Sequence, residues 1–141
     1  MNNKVLVGGL IGGVVFFLLG WLTYGMALRS MMDENTMQGL GRADEEMQWA
    51  FLILGHFAFG FLMAYILDKS NVYSFASGAT MGAVIGFLFT LAFDFIMYAT
   101  TNYFTNMTGV FIDIIVATVV VAITAGVIGW WYGRGRTAVV D

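Results

Sequence analysis

The chain has 141 residues, 60% of them hydrophobic and only 11% charged, against roughly 25% charged residues in an ordinary soluble domain. A net charge of −3 excludes the basic stripes that nucleic-acid binding requires. The absence of cysteine excludes disulfides, thiolate metal sites and a cysteine nucleophile. Proline is absent too, so any break in a helix must come from glycine or an inserted polar group.

In chain order, a first apolar span covers about residues 5–28. It is longer than the roughly 7–15-residue core of a signal peptide, and no cleavage site follows it, so it reads as a retained helix. Residues 29–46 form a loop carrying Asp33, Glu34, Asp44, Glu45 and Glu46. Within it, Met32-Asp33-Glu34-Asn35-Thr36 predicts a short helical piece and Gly39-Leu40-Gly41 a turn. The last three acids are expected to open the second helix, where negative charge suits the positive helix end. The second span covers about residues 47–67, and the third about 73–99. The short connection Asp68-Lys69-Ser70-Asn71 predicts that these two helices are antiparallel neighbours. A polar loop, Thr100 to Asn106, leads into the fourth span at about residues 108–133.

Each span meets or exceeds the roughly 20 residues that cross a bilayer core. Strict alternation is absent, which excludes a transmembrane β-barrel. The expected fold is an all-α integral membrane bundle: one domain of four transmembrane helices in two antiparallel hairpins. The lipid bilayer is then the first partner. Lys4, Lys69, Arg134 and Arg136 fall on one side and Arg29 and Arg42 on the other. The positive-inside rule places both termini in the cytoplasm. Trp21, Tyr24, Trp49, Tyr98 and Tyr103 then mark the outer interface, and Tyr65, Tyr73, Trp130, Trp131 and Tyr132 the inner one.

Small residues form three stripes. Gly78, Gly82 and Gly86 make a tandem G-x-x-x-G in the third span. Gly9, Gly13, Gly20 and Ala27 share a face of the first, and Ala122, Gly126, Gly129 and Gly133 lie along the fourth. Such stripes let backbones approach closely, and dispersion then drives association in lipid. They serve either packing within one chain or a seam between copies. Three stripes favour a homo-oligomer, with a dimer as its simplest form, and leave room for another membrane-protein partner. A faint repeat at an offset of 69 residues pairs Gly9 with Gly78 and Gly60 with Gly129; the abundance of glycine in membrane helices explains it.

Asp94 and Asp113 are acids inside apolar segments, where a carboxylate costs at least about 2.5–3.5 kcal/mol on insertion scales. The topology puts both near the outer end, at a level His56 also reaches from the second span. Arg29 is the expected counter-ion, with Tyr98 and Asn106 as hydrogen-bond partners. This polar cluster is either a structural lock or a proton or cation site. One histidine cannot build a zinc or haem site unaided, so no metal or cofactor is expected. Met26, Met31, Met32, Met37, Met47, Met97 and Met107 gather on the same side. Thioethers select Cu(I), but methionine also fills irregular apolar contacts. No nucleophile elbow, phosphate loop or paired-histidine motif occurs, so no catalytic residue is assigned. Asn106-Met107-Thr108 matches a glycosylation sequon, relevant only in a eukaryotic secretory setting.

The stretch Gly20-Trp21-Leu22-Thr23-Tyr24-Gly25, with Gly55-His56-Phe57-Ala58-Phe59-Gly60 and the run from Ser77 through Asp94 and Tyr98 to Asp113, resembles small bacterial four-helix membrane proteins classed as domains of unknown function. The resemblance implies a four-helix fold in the bacterial inner membrane and no activity. The expected function is therefore non-enzymatic: a structural or accessory membrane component with an outer polar cluster. The alternative is a small proton- or cation-coupled transporter or channel using Asp94 and Asp113, and third comes Cu(I) handling. The first reading is preferred because the middle and inner parts of the spans lack ionisable groups that a conduction path would need.

Overall fold

The computed structural model describes residues 3–134; Arg136, counted above among the basic residues that orient the chain, lies outside them. The first span begins as α1 (Asn3–Gly20) and continues as a π-helix, Trp21–Ala27. No proline is available to break the helix, and Thr23 lies within the widened turns. Its hydroxyl donates to the Leu19 carbonyl at 2.7 Å, and its own carbonyl accepts from Leu28 N, five residues on, at 2.8 Å. The five-residue backbone bond is what defines the π turn.

After the π segment come α2 (Arg29–Asn35), a 3₁₀ turn (Asp44–Glu46) and α3 (Trp49–Lys69). The three acids thus form a separate turn instead of opening the second membrane helix, which starts at Trp49. Asn71, at φ 54°, closes the connection to α4 (Phe75–Thr100); asparagine tolerates this left-handed backbone better than most residues. Ser74 caps α4 by accepting from Ser77 N at 3.1 Å. Asn106 caps α5 (Met107–Gly133) by accepting from Gly109 N, also at 3.1 Å. Each cap satisfies a backbone N–H that lacks a partner within its helix.

The four long helices are long and apolar enough to cross a membrane, which makes this a multi-pass membrane protein with an all-α fold. They pair as α1 with α3 and α4 with α5, and the two pairs join mainly through α1 and α5. The expectation that the second and third spans pack as neighbours does not hold: α3 and α4 barely touch. A short turn brings together helix ends only, and what lies alongside is decided by the faces that fit.

Those faces are the glycine stripes. A Cβ at Gly82 would lie 2.5 Å from Ala125 Cβ and 2.7 Å from the Val121 carbonyl oxygen, and one at Gly86 would lie 2.9 Å from Val121 Cβ. Gly78 abuts Ala125 and Gly126 in the same way. On the other pair, Gly60 abuts Gly9 and Gly13, while Gly13 faces Phe57 and Gly9 faces Phe61. Gly126, Gly129 and Gly133 receive Phe75, Ser74 and Tyr73. The seam expected between copies is thus occupied within the chain, and all three stripes are used to bring helices into contact.

The buried core sits towards the end that carries Asn3 and Arg134. It contains Val5, Met63, Ala64, Leu67, Val121, Ala125, Ile128 and Tyr132. The Tyr132 hydroxyl donates to the Ala64 carbonyl at 2.9 Å. Lys4 sits 3.7 Å from Asp68 and over the rings of Tyr73 and Tyr132 at 4.2 and 4.4 Å. At the opposite, loop end a smaller cluster of Phe104, Val110 and Ile114 packs with Met32, Leu91 and Met97. There α2 is fastened to the α4–α5 loop: Met37 N donates to Tyr103 O at 2.7 Å and Thr105 N to Asn35 O at 3.0 Å. This arrangement caps the loop end of α4 and α5.

Candidate functional site

Under that cap, the close approach of α4 and α5 puts two acids side by side. Asp94 is 1% exposed, and its carboxyl group lies within hydrogen-bonding reach of Asp113. Gly82 and Gly86 hold the two backbones together about three and two turns before Asp94, and buried Thr90 precedes it by one turn. Asp94 Oδ2 is the one buried side-chain polar atom with no partner among the described residues. Carboxylates only accept hydrogen bonds, so two ionised aspartates facing each other leave such an atom unpartnered.

Two tyrosines complete the surroundings. The Tyr24 hydroxyl, on the π segment, lies close to Asp113 and Asp94. Tyr103, in the α4–α5 loop, is close enough to Asp113, Asp94 and Asp33 for its phenol to be pushed up: partial burial is the main cause, and the three carboxyl groups add to it. Asp113 opens onto a vestibule of about 510 Å³ at the loop end, bordered by Tyr24, Tyr103, Thr36, Asp33 and Arg42. The vestibule gives the acid pair one route to solvent. In the other direction the path meets the packed side chains of Val121, Ala125 and Ile128.

Of the residues the sequence grouped with these acids, four do not pair with them. Arg29 borders the same vestibule as Asp113, but it is exposed and makes a two-pronged pair with Asp44, at 3.1 and 3.2 Å. Among the described residues, no cation makes an ion pair with either Asp94 or Asp113. His56 packs against Phe16 and Phe17, with ring centroids 5.1 and 5.4 Å away, and lines a different cavity together with Tyr24 and Arg29. Tyr98 is 41% exposed, and Asn106 is engaged as the α5 cap. The residues that sequence reasoning missed are Tyr24 and Tyr103, read there as interface aromatics. Spacing carried no signal for Tyr24, because the π segment changes which way its turn faces.

The methionines are dispersed. Met32 and Met97 pack against the loop-end cluster, Met32 and Met37 border the vestibule, and Met47 lines the other cavity. Among the described residues, no group of three or more His, Cys, Asp or Glu side chains is placed to hold a metal ion. No family model, curated protein or solved structure matches this chain.

Proposed function

We propose that this is a non-enzymatic accessory protein of the bacterial inner membrane whose outer end carries a one-sided proton site, the Asp94–Asp113 pair. The observation that carries this reading is the buried, unpartnered Asp94 Oδ2 beside a second carboxyl group, with no ion pair to either acid among the described residues. One shared proton turns two mutually repelling acceptors into a donor–acceptor pair. A proton fits this site better than a metal ion does. Asp94 is too buried for a hydrated cation to reach, and the pair supplies only two carboxyl groups.

The proton bound here braces the loop end: it joins α4 to α5 directly beneath the cap formed by α2. With both termini in the cytoplasm, as the basic residues favour, the vestibule samples external pH. The transporter reading is weaker because the route inward from the acids is filled by apolar packing, where a path needs polar groups along its length. The expected result in proteoliposomes is that an imposed pH gradient decays no faster with protein than without it. A flux that Asp94→Asn abolishes would overturn the one-sided site in favour of transport.

A further inference from the structure

The second cavity is independent of the acid pair in its chemistry. It encloses about 540 Å³ between the π segment and the start of α3, within the range of small-molecule pockets. Its space comes from the backbone: Gly20 and Gly25 line it without side chains, where the widened π turn passes α3. Phe17, Trp21 and Trp49 supply aromatic walls. Both tryptophans are about half-exposed, at 51% and 47%, and stand at the end of their helices where aromatic rings meet the membrane interface. The Arg29–Asp44 pair closes one side.

Within these walls His56 offers an oriented acceptor. The His56 Nδ1 lies 2.7 Å from the Leu52 carbonyl. A carbonyl only accepts, so Nδ1 carries the hydrogen and Nε2 presents a lone pair. Nε2 faces Gly20, where an added Cβ would lie 3.1 Å away, and no hydrogen bond from the protein reaches it among the described residues.

We infer that this cavity binds a flat, membrane-soluble aromatic alcohol, its ring among Phe17, Trp21 and Trp49 and its hydroxyl donating to His56 Nε2. Aromatic walls favour a planar apolar body, and with the Asp44 carboxylate engaged by Arg29, the unengaged His56 Nε2 selects a ligand that carries a donor. Tyr24 borders this cavity and also lies beside Asp113, so an occupant would touch the residue that flanks the acid pair.

The test uses 2-naphthol and its methyl ether, which share a ring system and differ in the donor. Binding is read as quenching of tryptophan fluorescence in the detergent-solubilised full chain, in a Trp130→Phe, Trp131→Phe background that leaves Trp21 and Trp49 as reporters. Saturable quenching by 2-naphthol is expected, about ten-fold weaker for the ether and about ten-fold weaker for His56→Leu with 2-naphthol. Gly20→Leu, which fills the cavity, should remove binding; His56→Leu keeps the test valid if that variant does not fold. Equal binding of the alcohol and the ether would mean an unselective lipid slot and would overturn the inference. So would binding that His56→Leu leaves unchanged, or an absence of saturable quenching in the parent protein.

Discussion

Gly82→Leu is expected to force α4 away from α5 and to lower stability in detergent by more than about 3 kcal/mol. Overpacking a well-filled contact costs about 1–3 kcal/mol when side chains can adjust. Here, besides Ala125 Cβ, the obstacles are backbone: the Val121 carbonyl oxygen at 2.7 Å and Ala122 Cα at 3.0 Å from the added Cβ. Neither can rotate out of the way, so a whole helix has to move. The same contact holds Asp94 next to Asp113, so the variant should also dismantle the acid pair. Gly55→Leu is the matched control. A Cβ at Gly55 meets nothing within 4 Å, and losing a glycine inside a helix relieves a penalty of about 1 kcal/mol. Its stability should be unchanged or slightly raised. Unfolding followed by helical circular dichroism separates the two, and equal stability of the variants would contradict packing through the glycine stripe.

Asp94→Asn is expected to remove a loss of stability that the parent protein shows as pH rises. The sign follows from proton counting. A native pair that shares a proton holds one proton more than two exposed carboxylates do in the unfolded chain, so stability falls as pH increases until that proton is gone. Once both groups are charged, they repel each other across the dry contact between the helices. Asparagine keeps the shape and offers its own N–H to Asp113, so near neutrality the variant should match the parent within about 1 kcal/mol. Towards alkaline pH it should become the more stable of the two. Working below about pH 9 keeps ordinary phenols largely un-ionised, and Tyr103 is pushed higher still. Parallel stability curves for the two proteins would argue against the shared proton.

The sequence carried the layout better than the contacts. The four apolar runs and the acidic loop were readable because length and hydropathy are properties of a segment alone. Boundaries moved by at most two residues at most ends, as with Trp49–Lys69 and Met107–Gly133. The glycine stripe Gly78–Gly82–Gly86 was visible, but its partner was not. A surface without side chains advertises close approach and says nothing about what approaches. The convergence of Asp94 and Asp113 followed from counting along antiparallel helices, since both sit near the same loop. Arg29 shows where counting stops. It lies at the correct level, yet Asp44, fifteen residues on in the same loop, offers a two-pronged partner with no desolvation cost. The π segment left no trace in composition, because a five-residue backbone bond such as Leu28 N to Thr23 O is a property of geometry, and with it went the placement of Tyr24.

The claim that Asp94 and Asp113 share a proton is tested most directly by infrared spectroscopy of the purified protein at neutral pH. Aspartates exposed to water are fully ionised there. The account predicts a protonated-carboxyl stretch in the parent protein that is lost in both Asp94→Asn and Asp113→Asn and retained in Arg29→Ala. A parent spectrum with carboxylate bands alone, or a protonated band that survives both aspartate substitutions, would contradict it.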